Sequence, residues 1–251
     1  PEQDAAASLA KLADVLGASQ AQAQLQAARR PDRPRGKLTA PKVCKAVGHL
    51  LPENAIVIDE AITSGLMLGA MTAGCPRHDL ITLTGGAIGQ GLPNAVGAAV
   101  ACPDRPVIAL IGDGTAMYTI QALWSMARER LHVISIIFNN ASYSVLNVEL
   151  ERVGAGSGGE KARSQLDLEG PRLNFAQLAQ GMGVHAVRTN SAEDFTKALE
   201  FALATPGPHL IEALVPEALS GVKRQVLPWL LKSLPSLPQP LAQALKRKFA
   251  P

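Results

Sequence analysis

The chain has 251 residues, 47% apolar and 18% charged, which is enough for one large α/β domain with a sizeable core and excludes wholesale disorder. Aromatics at 4% argue against a nucleic-acid module built on base stacking, and apolar runs such as 133–138 are too short to span a bilayer. The net charge of +3 hides an asymmetry: from Pro216 onward six basic residues face Glu217 alone, so a basic tail of +5 follows a body of −2. A nucleic-acid footprint would run across the folded body rather than the tail, so neither nucleic acid nor membrane is expected as a partner. Cys44, Cys75 and Cys102 form no disulfide framework or metal pattern, which fits a reducing, cytoplasmic setting. The chain starts at Pro1 with no signal peptide, which suggests a piece of something longer.

Residues 5–28 are rich in Ala, Leu and Gln at helical spacing, and Arg29 to Gly36 is a charged, Pro-bearing stretch. Together they make residues 1–37 a helix remnant of a preceding domain plus linker. From 38 to 215 short β-rich runs alternate with helical segments. The expected strands are 55–59, 80–83, 107–111, 133–138, 184–187 and 209–215, and the expected helices 42–50, 93–101, 118–128, 175–181 and 192–204. Such alternation predicts an α/β fold, a six-stranded parallel sheet with helices on both faces and right-handed crossovers. Residues 216–251, broken by Pro228, Pro235 and Pro238, cannot form one long helix and predict a short helical, amphipathic extension. It is expected to pack at a subunit contact or to close over the body as a lid.

Ligands of such sheets bind where the strands' carboxyl ends meet the loops. Strand 107–111 runs into Gly112-Asp113-Gly114-Thr115, whose glycines admit close backbone approach and whose helix start offers N–H groups to a phosphate. Taken alone, Gly-Asp-Gly is equally a tight turn with a capping Asp. The next strand ends in Asn139-Asn140-Ala141-Ser142-Tyr143, so the two turns should lie side by side. Asp113 then offers a carboxylate oxygen, Asn140 an amide oxygen and Ser142 a main-chain carbonyl. Hard oxygen donors with room for phosphate oxygens and water describe an octahedral Mg²⁺ site.

Gly112-Asp113-Gly114 followed at this distance by Asn139-Asn140 resembles the thiamine-diphosphate signature of the pyruvate decarboxylase and acetolactate synthase superfamily. The resemblance covers 38–215 and implies the diphosphate-binding domain of those enzymes and their thiamine-diphosphate-binding fold. It implies Asp113, Asn140 and Ser142 as the Mg²⁺ ligands, and Gly112, Gly114, Thr115 and Tyr143 beside the cofactor. Leu83-Thr84-Gly85-Gly86-Ala87-Ile88-Gly89-Gln90-Gly91-Leu92-Pro93 reads as a strand end, a glycine loop and a helix start. By resemblance, Gly86 meets the aminopyrimidine, and Ile88 props the cofactor in the bent form in which it deprotonates itself to the ylid. The family's catalytic glutamate sits on a separate pyrimidine-binding domain, and no glutamate here has a matching context. That domain is therefore expected from the same gene or another chain, in a homodimer or tetramer. Glu60 ends a strand facing the cleft and is expected to line the substrate pocket.

Residues 143–154 should form a helix over that pocket, with Leu146 and Glu149 at i and i+3 on one face. A helix glutamate is commonly exposed. Facing the cofactor, Glu149 would shuttle a substrate proton and disfavour a free 2-oxo-acid carboxylate. The resemblance implies a Mg²⁺- and thiamine-diphosphate-dependent carbon–carbon lyase or carboligase working through an enamine, closest to acetolactate synthase large subunits acting on 2-oxo acids. Two alternatives stand beside it: a 2-hydroxyacyl-CoA lyase whose basic tail meets the coenzyme's phosphates, and a cofactor-binding regulatory subunit without turnover. His49, His78, His132, His185 and His209 show no ligand spacing.

Overall fold

The computed structural model describes residues 4–18, 26–153 and 159–217. Six strands form one sheet: β1 (Ala55–Glu60), β2 (His78–Thr82), β3 (Val107–Gly112), β4 (Val133–Asn139), β5 (His185–Thr189) and β6 (His209–Leu214). Their order is β2-β1-β3-β4-β6-β5 and every neighbouring pair is parallel. The expected α/β architecture and strand count are therefore observed. Helices α1 (Ala5–Val15), α2 (Ala40–Leu50), α3 (Leu68–Thr72), α4 (Gly91–Ala101), α5 (Asp113–Ala116), α6 (Ala122–Arg128), α7 (Ser144–Arg152), α8 (Glu160–Ser164), α9 (Phe175–Gly181) and α10 (Ala192–Ala204) complete the described elements.

Strands covered on both faces are largely apolar, and β4 is buried along its whole length, with Ser135 and Asn139 as its polar residues. The pleat then sends alternate residues to two cores. Ile108 and Leu110 of β3 join α2, α3 and α10 through Val47, Leu68 and Phe195, while Val107, Ala109 and Ile111 join α4, α6 and α9 through Leu92, Leu123 and Phe175. Each fully buried Leu, Ile or Phe contributes roughly 1.5–3 kcal/mol, so the central strands anchor the domain. Strand β2 is the exception, with Leu80 and Ile81 exposed on a sheet edge.

Several boundaries shift by one or two residues, and three differences from expectation stand out. The helix read at 118–128 forms only over Ala122–Arg128, and Tyr118–Gln121 are turn, where Thr119 donates its hydroxyl to the Gly89 carbonyl at 2.8 Å. The α-helix expected within 5–28 ends at Val15 among the described residues, with Ala18 in a 3₁₀ conformation after it, and 26–35 carry no helix. That segment is strapped to the domain instead: the Arg29 N–H donates to the Gly74 carbonyl at 2.7 Å, Arg33 pairs with Glu200 at 2.6 Å, and the Gly36 N–H donates to Glu193 at 2.9 Å. Strand β2 begins at His78, where it pairs with Ala55, two residues earlier than read. Of the basic tail only Pro216 and Glu217 are described, so the lid expectation lies outside the described residues. Among those residues no helix is long and apolar enough to cross a membrane.

Candidate cofactor site

The chain leaves β1 outward for the edge strand β2 and returns on the other side of β1 to form β3. The carboxyl ends of β1 and β3 thus flank the sheet's topological switch point, where open α/β sheets hold ligands. Glu60 ends β1 and Asp113 follows β3, and the β4 turn and the glycine loop are bonded to them.

Asp113 follows β3 and is 4% exposed. Its Oδ1 accepts the Gly114 N–H at 2.9 Å, and its Oδ2 accepts the Ala141 N–H at 2.7 Å, which ties the β3 turn directly to the β4 turn. Burial pushes the Asp113 carboxyl up to about 6, against the pull of backbone N–H donors from Gly114, Ala141 and Asn140. Asn140 folds its own turn, its Oδ1 accepting the Ser142 N–H at 2.9 Å. The Ser142 hydroxyl lies 3.2 Å from a Glu217 oxygen and accepts from Asn147 Nδ2 at 3.0 Å. Ala141 has φ 55°, a left-handed conformation that bends the turn.

Thr115, 7% exposed, donates its hydroxyl to the Gly112 carbonyl at 2.9 Å and lies 3.4 Å from the Glu60 carbonyl. A Cβ on Gly114 would run into the Tyr143 ring, so glycine is required where Tyr143 lies against the turn. Helix α5 is only four residues long, so the turn offers its amides with little of the dipole a longer helix would add.

On the other side of the switch point, residues 85–91 form the glycine loop, with Gly85, Gly86 and Gly89 at φ 63°, 72° and 92°. Ile88 is 36% exposed on this loop. Glu60, expected in the pocket wall, is 2% exposed, and its carboxyl lies against loop amides. Its Oε1 accepts the Gly89 N–H at 2.7 Å and the Gln90 N–H at 3.1 Å, and its Oε2 accepts the Gly91 N–H at 2.9 Å. Helix α7 forms as read, next to the turn after β1. Leu146 is exposed on it and Glu149 is partly buried.

Two features escaped the sequence reading. Ile62, in the 3₁₀ turn Ile62–Ser64 after β1, has φ 51°. A β-branched residue in that region is strained, and such strain gathers at ligand sites. Nothing in the sequence signals it. The second was legible: Glu212 interrupts the otherwise apolar run of β6 and is fully buried. Its Oε2 accepts from Arg188 Nε at 2.9 Å and from the Ala176 N–H at 3.0 Å, and its Oε1 from Arg188 Nη2 at 3.0 Å and Asn139 Nδ2 at 2.7 Å. The two adjacent asparagines thus divide the work: Asn139 anchors the turn from behind and Asn140 shapes its front.

No group of three or more His, Cys, Asp and Glu able to hold a metal occurs among the described residues. A cation at this site would draw on one carboxylate together with amide and carbonyl oxygens, the donor set hard cations take.

The family "Thiamine pyrophosphate enzyme, C-terminal TPP binding domain" matches residues 65–213. The "Putative acetolactate synthase large subunit IlvX" of Mycobacterium tuberculosis is 54% identical over 213 residues, covering 84% of this chain and 41% of that protein. Benzoylformate decarboxylase of Pseudomonas aeruginosa is 36% identical over 177 residues, covering 70% of this chain and 32% of that one. Among solved structures, the thiamine diphosphate-dependent 4-hydroxybenzoylformate decarboxylase of Rhodococcus jostii superposes with a TM-score of 0.65 at 33% identity, over 78% of this chain and 35% of its own. The chain spans less than half the length of these relatives. With the fold, the switch-point site and the matched span in agreement, the chain belongs to the thiamine pyrophosphate enzymes, as their C-terminal TPP-binding domain.

Proposed function

We propose that this domain supplies the diphosphate- and Mg²⁺-binding half of a thiamine-diphosphate-dependent carbon–carbon lyase or carboligase acting on 2-oxo acids in the manner of acetolactate synthase. One observation carries it: the Asp113 Oδ2 to Ala141 N–H bond at 2.7 Å brings the Gly-Asp-Gly and Asn-Asn turns together at the switch point. The residues present fit the cofactor. Asp113, the amide oxygen of Asn140 and the carbonyl of Ser142 would hold Mg²⁺, while Gly112, Gly114 and Thr115 would border the diphosphate and Tyr143 would close that end. Gly86 and Ile88 would meet the pyrimidine end. When bound, thiamine diphosphate supplies the electron sink that makes carbon–carbon cleavage at a carbonyl possible.

The chain's own residues position that chemistry and exclude water from it. Leu146 and Glu149, one face of α7, would border the substrate, with Glu149 placed to exchange a proton with it. The glutamate that activates the pyrimidine would come from a pyrimidine-binding domain, and relatives more than twice as long as this match support that. The 2-hydroxyacyl-CoA alternative leans on the basic tail and Glu149, and no observation favours it or the regulatory-subunit alternative.

The test is substrate turnover by the full protein with thiamine diphosphate and Mg²⁺. We expect pyruvate to be consumed with formation of a 2-hydroxy-2-methyl-3-oxo acid, and a Glu149→Gln variant to lose turnover by about 10²-fold or more. Aldehyde release from an aryl 2-oxo acid, with pyruvate untouched, would move the assignment to the decarboxylases. Inertness toward both would defeat it.

A further inference from the structure

Seven residues, 85–91, three of them left-handed glycines, make a segment with much conformational freedom to lose. Its C-terminal end is nevertheless gathered onto one carboxylate. Three consecutive amides, Gly89, Gln90 and Gly91, converge on the two oxygens of Glu60 at 2.7, 3.1 and 2.9 Å, in a place the solvent barely reaches. The fit is close on both sides: a Cβ on Gly91 would stand 2.6 Å from Glu60 Oε2 and 2.5 Å from Ile111 Cδ1. The Thr119 hydroxyl holds the Gly89 carbonyl from above. The same glutamate reaches the other half of the site through its main chain, because its carbonyl lies 3.4 Å from the Thr115 hydroxyl in the Gly-Asp-Gly turn.

We propose that Glu60 is a positioning residue: its side chain fixes the glycine loop and its carbonyl meets the Gly-Asp-Gly turn, so Ile88 and Gly86 stand at a set distance from the metal turn before any cofactor arrives. The proposal rests on the cofactor reading above and assigns to Glu60 a role away from the substrate. A loop ordered in advance leaves less entropy to lose on binding, so cofactor affinity depends on this carboxyl even though it need not touch the ligand. In a Glu60→Gln variant one oxygen becomes an NH₂ that meets amide N–H groups donor to donor, releasing that end of the loop.

The experiment compares wild type, Glu60→Gln and Glu60→Asp in the full protein by two measurements. Hydrogen exchange without cofactor reads the loop directly. Calorimetry of thiamine diphosphate at saturating Mg²⁺ reads affinity. Glu60→Gln should speed exchange at 89–91 by about tenfold or more while β4 amides keep their protection, and should weaken the cofactor by about tenfold. The Mg²⁺ concentration for half-maximal binding should not move, which separates loop positioning from general damage. Unchanged exchange at 89–91 overturns the proposal, and so does a loosened loop with unchanged affinity. If Glu60→Gln loses β4 protection, Glu60→Asp is read by the same criteria. A wild type that binds no cofactor overturns the proposed function and the affinity half of the inference, while the exchange result still decides whether Glu60 holds the loop.

Discussion

At the scale of single residues, burial decides which charged contacts matter. The Glu212–Arg188 pair and the Glu200–Arg33 pair are both close, at 2.9 and 2.6 Å, yet the Glu212 side chain is 0% exposed and both members of the second pair are 40% exposed. An exposed pair is screened by water and contributes little, so Arg33→Ala should leave urea stability nearly unchanged. Glu212→Ala removes the acceptor of the Ala176 N–H and of Arg188 and leaves Asn139 Nδ2 with the Leu173 carbonyl as its acceptor, and should cost about 2–4 kcal/mol by the same measurement. Equal effects from the two variants would contradict this ranking. Cysteine chemistry follows the same logic. Burial pushes the Cys44 thiol up to about 12, with Asp59 adding to the effect. Iodoacetamide at mildly alkaline pH should therefore modify Cys102, which is partly exposed, and reach Cys44 only after unfolding.

At the scale of elements, tight turns rather than helix bodies carry the site. In Gly114→Ala the new methyl must displace the Tyr143 ring, an overpacking worth about 1–3 kcal/mol. Thermal denaturation should show that loss, and a Tyr143→Ser replacement in the same chain should recover most of it. Additive loss from the two changes would mean that they are not in contact. What the sequence made legible follows from which forces act locally. The run 133–138 is apolar at every position but Ser135 and reads as a doubly covered strand because its length and β-branched content suit a strand buried on both faces. The Gly-Asp-Gly and Asn-Asn turns were legible because they interrupt strands at fixed points. The late helix start at Ala122 was not, since the turn before it has Thr119 bonded to the Gly89 carbonyl thirty residues away. Nor was the role of Glu60, whose partners lie 29 to 31 residues downstream. Gln26, Ala27 and Ala28 favour helix by local propensity, yet among the described residues they carry none, and the segment follows contacts to the domain instead.

At the scale of the whole molecule the two ends of the sheet differ in character. The candidate cofactor residues lie at the carboxyl ends of β1, β3 and β4 and on the glycine loop. His185 and His209 open β5 and β6 at the opposite end, with His132 just before β4, and Phe201 and Lys197 lie alongside. Burial holds His209 below its ordinary value, helped by His185 and His132 and opposed by the bond to the Thr205 carbonyl. A base that resists protonation in the folded state takes up fewer protons there than in the unfolded chain. Stability is thus full above about pH 6.5 and falls as pH drops below it toward the folded value. A His209→Gln variant should show a flatter dependence of melting temperature on pH in that acidic range, and an unchanged slope would remove His209 as its source.

The central claim is that two adjacent turns, one from β3 and one from β4, form a metal-dependent cofactor site. Calorimetric titration of thiamine diphosphate into the full protein and its Asp113→Asn variant, with Mg²⁺ and with a chelator, tests it most directly. Wild type should bind only with the metal, and Asp113→Asn should bind at least about 100-fold more weakly, the upper range seen for changes one shell further from a metal. Equal affinity in the variant, or binding indifferent to Mg²⁺, would contradict the claim.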